Sequence, residues 1–289
     1  HTSFYFLCIL NALFFAVSIH VLGYLKTERR NNDELFGDSL IFKIKSEPFF
    51  IGFLLLFFAS ANLVLLSQHM GLLWVGMEAT TIMVAPLIYH RRDHHSLEAA
   101  WKFMLICSVG LGLALLGTMF LAMSVDQKTS VEVPFLFNEF MAHSESLNSF
   151  WLNTAFIFIV IGYGTKMGLA PMHTWLPDAH SQAPSPVSAL LSGALLNCAF
   201  LGVLRMWQIM TAGGHGEFAS DILIAFGLVS MVIAAVFLLN QAEYKRMLAY
   251  SGVEHMGIMA LGIGIGGNAI YGALLHTANH SLVKAGLFL

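Results

Sequence analysis

Charge is scarce in this chain. Of 289 residues only 11% are charged, 14 Lys and Arg against 17 Asp and Glu, while 57% are hydrophobic. Mean hydropathy is +0.73. Soluble domains carry roughly 25% charged residues, so a water-soluble globular fold is excluded. Cysteine is sparse too: Cys8, Cys107 and Cys198 all lie in apolar runs without a CxxC spacing, which indicates neither a zinc site nor a disulfide framework. The net charge of −3 selects no class of charged partner. No basic tract or aromatic-interleaved patch points to nucleic acid, and a Walker loop, nucleophile elbow and dinucleotide fingerprint are all missing, so a soluble active site is not expected. The start lacks a charged n-region with a cleavage site, and the first apolar run therefore reads as a true helix. Because the chain opens on His1 and stops at Leu289 within an apolar run, it is expected to be a fragment.

What is present is a series of apolar runs of about 20 residues. They lack the alternation of barrel strands. The expected fold class is an all-α integral membrane protein, a polytopic bundle of about nine transmembrane helices. The spans fall near 3–25, 48–66, 70–89, 97–123, 150–171, 185–211, 219–240, 246–266 and 271–289, with long polar connections at 26–47 and 124–149. Cations are lopsided across the bundle. Lys26, Arg29, Arg30, Lys43, Lys45, Arg91, Arg92, Lys245 and Arg246 share one side and Lys128 stands on the other, which marks the first side as cytoplasmic. Gly71–Met83 also aligns with the stretch ending at Met259, superposing Glu78 on Glu254, Leu72 on Leu248, Gly76 on Gly252, Ile82 on Ile258 and Met83 on Met259. The two helices start on opposite sides, as inverted-topology repeats require. Residues 1–47 then form a helix and cytoplasmic loop, 48–211 a first five-helix repeat, and 212–289 an incomplete second one.

The stretch from Gly164 to Gly193, GTKMGLAPMHTWLPDAHSQAPSPVSALLSG, sets a lysine, Lys166, among Gly162, Gly164, Gly168 and Pro171. Glycine weakens a helix and an interior proline removes a backbone bond, so a break is expected there. Membranes tolerate one only where protein or a wet cavity covers it, and broken helices at mid-depth are where transporters place ion sites. Few other charges fall in the spans. Lys102 and Arg205 lie near helix ends and are expected to snorkel; Glu78, Glu254 and Lys284 are deeper. A charge at the bilayer centre costs about 2.5–3.5 kcal/mol on insertion scales, which makes these functional candidates. Burial disfavours the charged form of either partner and a nearby opposite charge restores it. A Glu78–Lys166 pair is thus a switch that holds a proton when closed and releases it when open, or else a permanently closed structural pair.

His276, His280 and Lys284 recur at i, i+4 and i+8, on one helix face. The stripe reads as a hydrogen-bonded proton chain ending at a lysine. A His-x-x-x-His pair also suits a metal, but no third ligand is evident, and a haem needs axial histidines from two helices. His173, Asp178 and His180 follow the break and either relay protons or tie down the loop. His90, His94 and His95 sit in a basic loop and read as surface. Asn197, midway along an apolar helix, can link water or side chains but cannot carry a proton as charge.

Four motifs together resemble a known family: Glu78 in GMEATT, Lys166 in the long proline-rich stretch, YKRMLAYSGVEHMG at 244–257 and LLHTANHSLVKAGLF at 274–288. They are similar to the antiporter-like membrane subunits of complex I and of Mrp sodium/proton antiporters, and most of all to the branch formed by the hydrogenase-4 membrane component F. LEAAWKF at 97–103, PSPVSALLSGALLNC at 184–198 and SGVEHMG carry that last likeness. The resemblance implies proton, or sodium, movement through Glu78, Lys166, Asn197, Lys245, Glu254, His276, His280 and Lys284. It implies that Glu78 pairs with Lys166, and that Asn197 replaces a lysine or histidine common in the family. It places the chain as the third to eleventh helices of a fourteen-helix subunit. No cofactor is implied in this chain. Iron–sulfur and nickel–iron or quinone sites are implied in partner subunits, namely other membrane subunits and a peripheral redox arm, in a bacterial or archaeal cytoplasmic membrane. An Mrp-type antiporter without redox partners is the alternative.

Overall fold

The computed structural model describes residues 2–36, 47–125 and 134–289. Lys43, Lys45 and Lys128, and the side chains of Arg29 and Arg30, lie outside the described residues. Among the described residues twelve α-helices follow one another: α1 (Thr2–Phe36), α2 (Glu47–Leu66), α3 (Met70–Ile88), α4 (His94–Met123), α5 (Phe137–Ala142), α6 (Ser149–Met167), α7 (Trp175–Gln182), α8 (Ser185–Leu190), α9 (Leu196–Ala212), α10 (Gly216–Leu238), α11 (Tyr244–Ile265) and α12 (Asn268–Phe288). Among the described residues eight segments are long and apolar enough to cross a membrane, counting α6 with α7 and α8 with α9. The ninth expected span forms as α12, whose apolar run is interrupted by His276, Asn279, His280 and Lys284. The protein is an all-α polytopic membrane protein.

Helices in lipid gain little from burying more apolar surface, so close packing of small residues holds them together. The α4–α6 seam is of this kind. A Cβ built on Gly162 would stand 2.6 Å from the backbone of both Ala114 and Gly110, and one on Gly110 would stand 2.7 Å from Thr165. Gly227 and Gly257 bring α10 and α11 equally close. The centre of the bundle is the Ser185–Ala212 span, whose most apolar 18 residues are all buried, whereas only 22% of the corresponding stretch of Gly216–Leu238 is buried and that helix lies at the periphery.

The break differs from the expectation in detail. Gly162 and Gly164 do not interrupt α6, which continues through Lys166 to Met167. Gly168 ends it in the left-handed region at φ 81°, a conformation that glycine adopts without a Cβ penalty. A short 3₁₀ turn, Met172–Thr174, and then α7 follow. The freed backbone groups find partners: Leu169 N–H donates to Gly164 O at 2.8 Å, the Trp175 indole donates to Thr165 O at 2.8 Å, and Ala170 N–H donates to Ser230 Oγ of α10 at 2.9 Å. A second irregularity carries no sequence signal. Residues Leu191–Leu195 form a π turn between α8 and α9, and such bulges often accompany functional sites.

Polar contacts collect at the two ends. At one end His90 Nε2 lies 3.3 Å from Glu28 Oε2, and Asp178 pairs with Lys102 and with Arg246 at 2.9 Å each. The His90 ring, expected at the surface, is buried against Phe50. At the other end Arg205, expected to snorkel, is instead 1% exposed. It donates to Ser67 O at 2.5 Å and Ser3 Oγ at 2.8 Å, because buried backbone carbonyls between helices offer it acceptors that lipid does not. Lys102 does reach the surface, pairing with Glu98 at 2.7 Å.

Candidate functional site

Among the described residues two clusters of polar side chains stand out, one reaching from the buried Lys166 to Ser108 at the bundle surface and the other largely inside. The first is built from α3, α4 and α6. Lys166 is completely buried. Its Nζ donates to Met77 O at 2.7 Å and also to Thr81 Oγ1. Both acceptors belong to α3, where residues i and i+4 share a face. Glu78 is turned elsewhere: its Oε1 accepts from Ser108 Oγ of α4 at 3.0 Å, and its Oε2 is buried with no partner among the described residues. Among the described residues no ion pair joins Lys166 to Glu78, so the permanently closed pair, the alternative to a switch, is not what this structure holds. Residue 78 projects about 100° round the helix from residue 77, so a lysine seated on the 77/81 face does not meet the carboxylate. The two remain within electrostatic reach of each other.

The second cluster joins the π turn, α9, α11, α12 and α7. Asn197 Nδ2 donates to Gly193 O at 2.7 Å and to Ser281 Oγ at 2.6 Å, and its buried Oδ1 has no partner among the described residues. A Cβ on Gly193 would meet Ser281 O at 3.1 Å and Leu13 at 2.5 Å, so glycine is what lets α12 approach the turn. His276, His280 and Lys284 do share the inner side of α12, but they do not form the expected continuous chain. His276 Nε2 lies 3.0 Å from His255 Nδ1 of α11, both ring nitrogens of His280 lack a hydrogen-bond partner among the described residues, and Lys284 Nζ donates to Leu248 O at 2.7 Å. Among the described residues these three side chains make no hydrogen bond to one another, and the neighbouring helix α11 supplies the contacts of His276 and Lys284 instead. His280 and His255 have ring centroids 5.2 Å apart. Glu254 lies within electrostatic reach of Lys284, and Lys245 donates to Ala183 O at 2.8 Å.

The post-break residues divide. His180 belongs to the second cluster: it is 1% exposed, stacks on Phe288 at 4.7 Å, and is within electrostatic reach of Lys284 and Lys245. Asp178 ties helix ends together through Lys102 and Arg246. Beside it opens a polar cavity of about 190 Å³ lined by His95, Glu98, Lys102, Asp178, Gln182 and Arg246. His173 packs against Phe237 and Tyr250 and joins neither cluster. Helix α9 links the clusters, since Asn197 faces α12 while the next residue, Cys198, is within electrostatic reach of Lys166.

Residues 67–289 match the family described as NADH:quinone oxidoreductase/Mrp antiporter, TM. The chain belongs to this family. Within it, the chain is 42% identical over 229 residues to a hydrogenase-4 component F homolog of Methylacidiphilum infernorum, covering 78% of this chain and 48% of that one. It is 34% identical over 256 residues to NAD(P)H-quinone oxidoreductase chain 4 2 of Thermosynechococcus vestitus, covering 85% and 45%. The chain thus spans about half the length of the curated relatives it matches. Among solved structures it resembles a chain of the membrane-bound sulfane sulfur reductase, an archaeal respiratory membrane complex, with TM-score 0.81 and 21% identity over 99% of this chain and 54% of that one; this likeness concerns the fold alone. It also resembles a chain of the Mrp complex from Dietzia sp. DQ12-45-1b, with TM-score 0.73 and 25% identity over 83% and 26%.

Four residues of these clusters, Thr81, Ser108, His255 and Ser281, escape a reading of the sequence, as does Ser230 beside the break. His255 stands next to Glu254 in the SGVEHMG motif, which was the available signal. The hydroxyls had none beyond their position on helices that carry charge.

Proposed function

We propose that this chain is the proton-translocating part of a membrane subunit in a complex I-like assembly of the group 4 hydrogenase type. The observation that carries the reading is a wholly buried lysine on a broken helix, held by neutral oxygens with a glutamate one residue away on the facing helix. A buried ammonium without an ion partner is costly unless its proton is meant to move. Lys166 and Glu78 act as the switch. Redox work in partner subunits, which hold the iron–sulfur and nickel–iron or quinone sites, alters their separation. The proton then passes by way of water held at Asn197 and Ser281 to the His255–His276–His280 cluster and Lys284, with Lys245 and Glu254 flanking it. His180 and the cavity at Asp178 supply the aqueous end, and His173 is a further relay candidate beside the break. The assembly sits in a bacterial or archaeal cytoplasmic membrane with other membrane subunits and a peripheral redox arm. The 42% identity to a hydrogenase-4 component F homolog supports the redox-coupled reading. The likeness to an Mrp complex chain supports a second one, sodium/proton exchange without redox partners.

The test is proton uptake by vesicles containing the full-length protein in its native complex. Lys166→Met is expected to abolish uptake and Glu78→Gln to reduce it strongly. The double variant is expected to be hardly worse than Lys166→Met, since residues acting as a unit are non-additive. Normal uptake by Lys166→Met would leave Lys166 a structural residue. Uptake that needs a sodium gradient and no electron donor selects the second reading.

A further inference from the structure

The Glu78–Lys166 switch needs a defined place for the lysine when it is off the carboxylate, and the structure contains one. Lys166 Nζ rests on Met77 O at 2.7 Å and on the Thr81 hydroxyl; Met77 is 0% and Thr81 1% exposed. Thr81 Oγ1 also leans on Met77 O at 3.4 Å, which directs its proton to the helix carbonyl and leaves its lone pairs to the ammonium. Thr80 Oγ1 donates to the same carbonyl at 2.7 Å. The glutamate has its own resting place at Ser108 of α4, at 3.0 Å, and its buried second oxygen, Oε2, has no partner among the described residues. That oxygen is an acceptor waiting for a donor.

We propose that Thr81 and Ser108 are positioning residues that hold the open state of the pair, Thr81 by seating the Lys166 ammonium and Ser108 by holding Glu78 away from it. The inference rests on the proton-translocating reading and adds the station from which the lysine departs and to which it returns. Two faces of one helix are involved. The 77/81 face offers oxygens without charge, and residue 78 offers charge on the next face. An ammonium loses one acceptor if Thr81 becomes valine, a side chain of the same shape without an oxygen. The unpartnered Glu78 oxygen is then the strongest acceptor within reach, and the pair collapses to the closed state.

The experiment uses the full-length protein in its native complex, in vesicles, and measures initial proton uptake beside thermal stability. Thr81→Val is expected to slow uptake about ten-fold with thermal stability kept, while Thr81→Ser, which retains the hydroxyl, returns it to within about two-fold. Ser108→Ala is expected to slow uptake in the same direction. Adding Thr81→Val to Glu78→Gln is expected to cost nothing further, because the lysine then has no carboxylate to collapse onto. Wild-type uptake by Thr81→Val, or a Thr81→Ser variant as slow as Thr81→Val, overturns the proposal. If Lys166→Met is inactive in the same preparation, only the positioning role fails; if Lys166→Met also pumps, the translocation reading itself fails. Should Thr81→Val not accumulate, the comparison of Ser108→Ala with wild type, alone and in the Glu78→Gln background, decides the point in the same way.

Discussion

Gly162 tests whether the seam between α4 and α6 sets the position of the lysine. A methyl group at this position would lie 2.6 Å from Ala114 Cβ, Ala114 N and Gly110 O, where ordinary contact begins at 3.4 Å. Two of the three obstacles are backbone atoms and cannot rotate away. Gly162→Ala therefore forces the helices apart by about 0.8 Å, an overpacking that costs about 1–3 kcal/mol. Lys166 lies four residues further along α6 and on the same face. A displacement of that size carried one turn along the helix stretches its 2.7 Å bond to Met77 O to about 3.5 Å, beyond the range of a good hydrogen bond. Transport should then fall by ten-fold or more, since misplacing a reacting group by about 1 Å costs on the order of 100-fold. Gly112 on α4 is the control, because a Cβ there meets nothing within 4 Å. The assay is thermal stability and proton uptake for Gly162→Ala beside Gly112→Ala. If the two variants behave alike, the seam does not position Lys166 and the reasoning is wrong.

His280 has both ring nitrogens buried with no hydrogen-bond partner among the described residues, so His280→Gln, which still hydrogen-bonds but does not titrate near neutral pH, should slow proton uptake several-fold with copurified metal unchanged; loss of a stoichiometric metal would assign the cluster to metal binding. At the N-terminus of α4 the Asp93 side chain and Ser96 form a reciprocal cap, and Asp93→Ala should cost about 1 kcal/mol at neutral pH. The Ser96 backbone N–H holds the Asp93 carboxyl below the usual carboxylate range. Its contribution is thus complete above a pH of about 4 and is lost as pH falls through the lower folded value. The stability gap between wild type and Asp93→Ala should close on strong acidification, and a gap that stays constant would show that the charge is not what caps the helix.

Run length made the helices legible in the sequence: the expected span 97–123 is α4 (His94–Met123) and 219–240 is α10 (Gly216–Leu238). The break was legible from Gly168 and Pro171 but not from Gly162 or Gly164, since glycine in a membrane helix serves close packing as readily as it ends a turn. Lys166 announced itself as a lone charge among apolar residues. Its partners did not, because charge complementarity favours Glu78 whereas the geometry of α3 presents Met77 O and Thr81 to α6. Likewise the stripe on α12 was readable along one helix, while His255 and Asn197 complete it from helices distant in sequence. The π turn that seats Asn197 against Ser281 has no compositional mark. Arg205 and His90 were misplaced for a common reason: burial of a long or aromatic polar side chain depends on carbonyls and carboxylates supplied by other helices.

Asp178 is gripped from two sides, by Lys102 of α4 and by Arg246 of α11, at 2.9 Å each. Helix α7 is therefore clamped in its first turn, three residues from Trp175, whose indole is hydrogen-bonded to Thr165 O of α6. A tilt of α11 is passed through Arg246 and Asp178 to the first turn of α7, and from Trp175 to α6, bypassing the loop between them. Force applied to the later helices by a neighbouring subunit would in this way reach the lysine mechanically, without any charge having to travel between them.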